Sequence, residues 1–225
     1  MHKPIYDITP FSALDYPDKT ACIIWFAGCN MRCGYCYNPT IVEGKGRFQY
    51  TDALRFLKQR HGLLDGTVLS GGECMLHKDL PRFAREIKDL GLLLKIDTNG
   101  TSPGKLKVMI TNKLIDYVAL DFKAPPKTFK EITGSNLFEL VNKSLDVLLD
   151  SDLPFEVRTT YHSDLHSLAD MQTILDLLLR KGYRGTYFIQ NFVSDGPTLK
   201  RLGSSTPLKN ENDLRSQLKV VIRNR

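Results

Sequence analysis

Short apolar stretches alternate with stretches of helical period along most of this chain, and that alternation limits the folds open to it. Residues 19–26 are rich in Ile, Trp and Phe and read as a first buried strand. Further strands are expected at 66–70, 92–97, 117–121, 155–160 and 186–190. Helices are expected at 51–59, 80–90, 105–111, 136–149 and 168–180. In the second of these, Leu80, Phe83, Ala84, Ile87 and Leu90 recur on one side, and Gly91 stops it. In the last, Met171, Ile174, Leu175 and Leu178 face inward, and Gly182 follows the end. Strands alternating with helices argue for βα units and a parallel sheet. Six such units make an α/β fold, a partial (βα)6 TIM-like barrel open on one side rather than the closed form of eight.

The flanks are less regular. Residues 1–18 read as a lead-in, where Pro4, Pro10 and Pro17 discourage a long helix. Residues 37–49, with Pro39, Gly44 and Gly46, are expected to be irregular. The extension 191–225 carries Gly203 and Pro207, a helix near 211–218 and a last strand at 220–222. No repeat, low-complexity segment or linker interrupts the 225 residues, so they read as one domain with its core over 19–190. A hydrophobic content of 42% is enough for a substantial core.

Composition narrows the setting. The longest apolar run, 21–28, is far too short to span a bilayer, so no membrane contact is expected. Met1-His2-Lys3-Pro4 lacks the apolar core of a signal peptide, which points to the cytoplasm. The formal charge of +6 and isoelectric point near 9.0 favour an acidic partner or an anionic substrate. The basic residues are dispersed and form no nucleic-acid arm, so no direct nucleic-acid contact is expected.

The chemistry concentrates in Cys29-Asn30-Met31-Arg32-Cys33-Gly34-Tyr35-Cys36, a C-x3-C-x2-C cluster directly after the first strand. Thiolates are soft ligands that suit iron–sulfur clusters, copper(I) or zinc. A structural zinc site wants four ligands, usually in two separated pairs. The remaining candidates are Cys22, Cys74 and five histidines, and none has pair spacing with the motif. Five cysteines is an odd number and no secretory signal is visible, which argues against a disulfide framework. A cubane iron–sulfur cluster needs a ligand on each of four irons, so three cysteines leave one iron open to bind a small molecule.

Cys29, Cys33 and Cys36, with the aromatic Tyr35 before the last cysteine, resemble the signature of the radical S-adenosylmethionine (radical SAM) superfamily. The chain is further similar to its small glycyl-radical activating enzymes, in particular the anaerobic ribonucleoside-triphosphate reductase activating proteins. That similarity is carried by Leu14-Asp15-Tyr16-Pro17, Phe26-Ala27-Gly28-Cys29, Cys36-Tyr37-Asn38-Pro39, Ser70-Gly71-Gly72-Glu73, Asp97-Thr98-Asn99-Gly100 and Asp121-Phe122-Lys123. The resemblance implies a [4Fe-4S] cluster on Cys29, Cys33 and Cys36, with SAM on the open iron. It implies that Gly71, Gly72 and Glu73 bind the methionyl amine, and that Asp97, Asn99 and Lys123 contact the methionine and ribose of the cofactor. Reductive cleavage of SAM would yield a 5′-deoxyadenosyl radical that abstracts hydrogen from a glycine of a glycyl-radical enzyme. The implied partners are an anaerobic ribonucleotide reductase and an electron donor such as flavodoxin or ferredoxin.

The residues also carry plainer readings. Gly71 and Gly72 suit a close backbone approach, yet a Gly-Gly-Glu tripeptide also makes a simple βα turn. Asp97 before Asn99-Gly100 reads equally as a turn residue. Lys123 before Pro125-Pro126 reads as a solvated lysine. With Lys127 and Lys130 it would suit docking on an acidic surface. Arg158 can pair with a carboxylate of cofactor or substrate, or with Asp121 as a buried ion pair. Tyr35 can stack beside adenine, shield the cluster or pack as a loop aromatic. His162 and His166 are four apart, but Ser163-Asp164 reads as a turn, which disfavours a metal pair. Cys74 stands where related sequences often have proline; it reads as a small buried hydrophobe or as a hydrogen donor to a radical.

In a barrel of parallel strands, functional residues gather where strands end. Cys29, Glu73, Asp97, Asn99, Asp121, Lys123, Arg158 and Gln190 all lie at or near such ends. The rival functions are a radical SAM enzyme for a small molecule or nucleoside, an iron–sulfur electron carrier, and a zinc-binding interaction module. Metal analysis separates the last of these from the rest. After anaerobic reconstitution the protein should hold about four irons per chain, the cubane stoichiometry. Cys29→Ala, Cys33→Ala and Cys36→Ala should each abolish the cluster and Cys22→Ala should not; stoichiometric zinc without sulfide would refute this.

Overall fold

The six strands expected over the core and the five helices expected with them form, within a residue or a few of their expected limits. The computed structural model describes residues 3–194 and 196–224; Met1, His2, Asp195 and Arg225, at the edges of the expected lead-in and within the extension, lie outside the described residues. The strands are β2 (Ala21–Phe26), β3 (Gly66–Gly71), β4 (Leu93–Thr98), β5 (Tyr117–Asp121), β6 (Phe155–Tyr161) and β7 (Tyr187–Asn191). The helices are α2 (Tyr50–Gln59), α3 (Leu80–Lys88), α4 (Pro103–Thr111), α6 (Phe138–Leu149) and α7 (Leu168–Arg180).

Four elements depart from expectation. The lead-in is an eight-residue strand, β1 (Ile5–Ser12), antiparallel to β2 with Ile8 opposite Ile24. Its proline is tolerated because β1 begins the strand order and Pro10 lies in the irregular register between Thr9 and Ser12. Within the loop expected to be irregular, α1 (Pro39–Glu43) forms with proline in its first turn, where no amide partner is needed. A further short helix, α5 (Phe129–Thr133), ends at Gly134 in the left-handed region, φ 66°. The helix expected near 211–218 reduces to a 3-10 turn at Glu211–Asp213. Side chains take the amides a helix would use: Asn210 Oδ1 accepts from Asn212, Gln172 Oε1 from Arg215, and Ser216 Oγ from Leu218. The last strand, β8 (Val220–Asn224), pairs parallel to β7.

The sheet therefore has eight strands, the six of the expected core with β1 and the last strand β8 added, in the order β1-β2-β3-β4-β5-β6-β7-β8, with β1 antiparallel at one end. The chain divides into two compact units. One comprises residues up to Asn30, Asn38–Thr98 and Ser102–Ala119; the other comprises Met31–Tyr37, Asn99–Thr101 and the chain from Leu120 onward.

In the first unit β2, β3 and β4 pair in parallel, with Ile23 beside Val68 and Val68 beside Lys95. Tyr16, Ala21, Ile23 and Val68 form a buried cluster, and Trp25, Leu93 and Tyr117 pack against it. Ile24, Phe26 and Leu69 are also buried, so both faces of these strands are covered and each reads as a nearly unbroken apolar run. The apolar stripe of α3, Leu80, Phe83, Ala84 and Ile87, is buried as its spacing requires.

In the second unit β6, β7 and β8 are parallel, with Val157 beside Tyr187 and Tyr187 beside Val220. Tyr187 Oη donates to Thr159 Oγ1 at 2.7 Å, and Thr159 in turn donates to the Phe122 carbonyl at 2.5 Å. That chain of bonds satisfies a fully buried tyrosine hydroxyl. Val141, Leu145 and Leu148 of α6 and Met171, Ile174, Leu175 and Leu178 of α7 are buried. No helix among the described residues is long and apolar enough to cross a membrane.

The start of α7 is set by a reciprocal cap. Ser167 Oγ accepts from the Asp170 amide at 3.1 Å, and the Asp170 carboxylate accepts from the Ser167 amide at 2.8 Å. Ser167→Ala should lower the unfolding free energy by about 1 kcal/mol, seen as a lower urea midpoint with an unchanged m-value.

Candidate active site

In the first unit, β2 runs out at Phe26 and the backbone turns at Gly28, whose φ of 86° favours glycine. The Gly-Gly-Glu turn after β3 docks directly onto this corner. Gly72 donates its amide to the Phe26 carbonyl and Glu73 donates to the Gly28 carbonyl, both at 2.8 Å. A Cβ on Gly72 would lie 1.9 Å from the Gly28 oxygen, and one on Gly71, at φ 113°, 2.6 Å from the Phe26 nitrogen. Neither position can carry a side chain without moving backbone. Lys105 Nζ braces the next turn, donating to the carbonyls of Met75 at 2.6 Å and His77 at 2.8 Å, and His77 Nε2 donates to the Ala27 carbonyl at 3.1 Å.

Glu73 is fully buried, and its Oε1 accepts from the Met75 amide at 3.0 Å and Thr98 Oγ1 at 2.8 Å. It thereby caps the 3-10 turn Cys74–Leu76. The Cys74 thiol is buried against the carbonyls of Leu69 and Asp97. Burial, and then the charge of Glu73, push it well above the ordinary thiol range. Asp97 ends β4 inside a charged network: Lys95 Nζ donates to Oδ1 at 2.5 Å, and Ser70 Oγ donates to Oδ2 at 3.2 Å. Lys95 is only 2% exposed.

In the second unit, the cysteine loop turns tightly, with the Cys36 amide donating to the Cys33 carbonyl at 3.0 Å. Tyr35 is buried with its ring 5.8 Å from that of His166, and its hydroxyl is buried without a hydrogen-bond partner. Burial first, and then the charge of Cys33, hold that phenol well above its ordinary range. Asn99 Oδ1 accepts from the Thr101 amide at 3.1 Å and Oγ1 at 2.7 Å, so Asn99 is the residue that shapes the turn after β4.

Lys123 is not a solvated lysine: its side chain is 17% exposed and Nζ lies 3.2 Å from Asp121 Oδ2. Arg158 Nε donates to Asp121 Oδ1, the ion-pair alternative for that arginine. Burial alone would raise the Asp121 carboxyl, but the charges of Arg158 and Lys123 prevail and hold it at about 2. Burial would likewise lower Lys123, yet Asp121 carries it well above the ordinary lysine range. Lys127 and Lys130 remain exposed.

The two histidines lie on a turn and bond to backbone. His166 Nδ1 accepts from the His162 amide and its Nε2 donates to the Lys123 carbonyl at 3.0 Å. His162 Nδ1 accepts from the Asp164 amide and its Nε2 donates to the Gly203 carbonyl. Burial lowers the His166 pKa and favours the neutral ring these bonds require.

Lys95 and Lys105 are neighbours of these residues that the sequence motifs did not disclose. Lys95 left one trace, a lysine two residues before Asp97 on the same face of an apolar strand.

The chain belongs to the radical SAM superfamily, whose family model matches residues 23–186. It is 32% identical over 220 residues to a candidate glycyl-radical enzyme activating enzyme of Methanocaldococcus jannaschii, covering 95% of this chain and 90% of that protein. It is 31% identical over 141 residues to the pyruvate formate-lyase-activating enzyme of Clostridium pasteurianum, 58% of this chain and 57% of that one. Among solved structures, Streptococcus suis SuiB bound to S-adenosylmethionine superposes with a TM-score of 0.66 at 15% identity, over 89% of this chain and 51% of SuiB. That last likeness shows the fold.

The family's cofactors are a [4Fe-4S] cluster and S-adenosylmethionine, and the residues fit them. None of the five cysteines is in a disulfide, and Cys29, Cys33 and Cys36 stand within one loop. Among the described residues no three His, Cys, Asp or Glu side chains converge on a single metal ion. A cubane spreads its ligands over separate irons and asks for no such convergence. The side-chain-free backbone at Gly71-Gly72 and the partnerless Tyr35 hydroxyl are further features suited to a bound group.

The Asp121 pairs give stability a definite pH dependence. The folded-state carboxyl is depressed to about 2, so its contribution is complete above its unfolded value and disappears as pH falls through 2. Urea midpoints of the parent should therefore fall between about pH 4 and pH 2 more steeply than those of Asp121→Asn. Asp121→Asn should be the less stable at pH 7, because two buried cations lose their counter-charge. Parallel pH profiles would overturn this assignment.

Proposed function

We propose that this protein cleaves S-adenosylmethionine reductively and installs a glycyl radical on a partner enzyme, an anaerobic ribonucleotide reductase. One observation carries the reading. The 32% identity to a candidate glycyl-radical enzyme activating enzyme extends over 95% of this chain, a span that takes in the cysteine loop and the Gly-Gly-Glu turn.

Cys29, Cys33 and Cys36 would hold the cluster. When bound, the reduced cluster would supply the one electron that reductive cleavage of the sulfonium needs. Gly71 and Gly72 bring bare backbone to the cofactor, and Glu73 offers its ammonium a buried negative charge. The bonds from Met75 and Thr98 fix that carboxylate in one orientation. Lys123 and Arg158 supply cations for the methionine carboxylate, each held in place by Asp121. Asp97 and Asn99 would contact the ribose, and Tyr35 would shield the cluster. A target glycine has no side chain to obstruct its Cα, which suits hydrogen abstraction from a loop.

The test combines a product and a radical. Reconstituted protein, given SAM and a reductant, should form 5′-deoxyadenosine and raise a glycyl-radical electron paramagnetic resonance signal on an anaerobic ribonucleotide reductase. Glu73→Gln keeps an acceptor for Met75 and Thr98 while removing the charge. It should retain full iron content and weaken SAM binding by about tenfold or more, the loss of one charge-assisted bond. Turnover of a small molecule, with no radical on any glycyl-radical enzyme offered, would overturn the proposal.

A further inference from the structure

The chain after β7 returns to the cysteine loop within the second unit. Lys200 donates its amide to the Gly34 carbonyl at 3.0 Å, and Val193 donates to Tyr37 Oη at 2.8 Å. Phe192 stacks on Tyr37 with ring centroids 5.2 Å apart. The Lys200 side chain crosses Gly34 so closely that a Cβ there would meet its Cδ at 3.1 Å. Beyond it, the Gly203 carbonyl accepts from His162, and Ser205 Oγ and the Thr206 amide bond to Ser163. A strap is thus held at the cysteine loop by one backbone–backbone bond, from Lys200 to Gly34, and by bonds that pair backbone with side chains.

This strap brings charge to the loop. Lys200 and Arg201 are exposed. A lysine whose stem lies on a glycine keeps its ammonium in water. On the other flank Arg32, inside the loop itself, is exposed and donates its amide to the Thr133 carbonyl of α5 at 2.7 Å. Lys130, one turn before Thr133, is exposed as well; Glu131 and Asp164 are the acidic residues nearby in these segments. Exposed cations therefore stand on both flanks of the turn that spaces Cys33 from Cys36.

The reaction proposed above needs one electron delivered to this loop by a donor that then leaves. Brief exchange of this kind is served by small, charge-steered contacts, whereas a protein substrate calls for a larger and better-packed interface. We infer that the rim of Arg32, Lys130, Lys200 and Arg201 is the docking face for an acidic one-electron carrier protein of the flavodoxin or ferredoxin kind. One electron leaves the reduced carrier and enters the protein-bound [4Fe-4S]2+ cluster, giving oxidised carrier and [4Fe-4S]+, with no bond made or broken. The inference rests on the radical SAM reading of this site and extends it to its reductant.

Stopped-flow reduction of the reconstituted holoprotein by reduced flavodoxin tests it, followed through the cluster absorbance over a salt series. Lys200→Glu with Arg201→Glu should lower the second-order rate constant by about tenfold or more at low salt, and the gap should close as salt screens the charges. Lys200→Gln, which keeps a stem over Gly34, should give a smaller loss of the same salt dependence. Calorimetric binding of flavodoxin should weaken in parallel, while reduction by dithionite and binding of SAM stay unchanged. A flavodoxin rate that is unaltered, or a loss shared equally with dithionite, overturns the inference. So does normal reduction with impaired glycyl-radical formation under a chemical reductant, which would assign the rim to the protein substrate. Failure of the proposed function itself looks different: the cluster is reduced normally and no 5′-deoxyadenosine forms.

Discussion

The contact between Gly28 and Gly72 is the constraint on which the first unit's share of the site depends. Two backbones meet there without a side chain between them, and a methyl group on Gly72 would sit 1.9 Å from a carbonyl oxygen. The Gly28 oxygen accepts the Glu73 amide, so the corner leading into the cysteine loop and the glutamate of the Gly-Gly-Glu turn are set by one hydrogen bond. Such a bond is worth only about 1 kcal/mol in net stability. Its consequence is positional, because Glu73 can cap Cys74–Leu76 and receive Thr98 only while its backbone stays at that distance. Lys105, reaching the Met75 and His77 carbonyls, braces the same turn from α4.

Charge is buried in both units, and in each case it is balanced locally. Lys95 and Asp97 form a pair in the first, with Ser70 on the second carboxylate oxygen. The second unit holds an alternating series: Lys123, Asp121, Arg158, Glu156 and Arg223, contributed by residues in or beside β5, β6 and β8. Buried ions cost several kcal/mol each to desolvate, so removing one member strands its neighbours. The benefit is orientation. Lys123 and Arg158 cannot swing into solvent as surface cations do, and a carboxylate arriving from a cofactor meets donors already in place. His166 fixes the same region from behind by donating to the Lys123 carbonyl.

Much of this protein was legible in its sequence. Local chemistry specified the alternation of strand and helix, the glycines at 71 and 72 and the three cysteines, because each needs only its near neighbours. Elements that exist through distant partners escaped it. β1 looked like a lead-in because Pro10 and its mixed polarity suit an edge strand, which is stabilised by β2 rather than by its own pattern. The expected helix after Glu211 lost its amides to Asn210, Gln172 and Ser216, and Gln172 lies 43 residues away from its partner Arg215. Asp97 and Arg158 had two readings each in the sequence. Strand register set the partner each meets within the protein, placing Asp121 beside an arginine 37 residues onward and Asp97 between Ser70 and Lys95. Composition and spacing could name the charged residues, but only packing determines which carboxylate each cation meets, since that choice depends on backbones brought together from far apart in the chain.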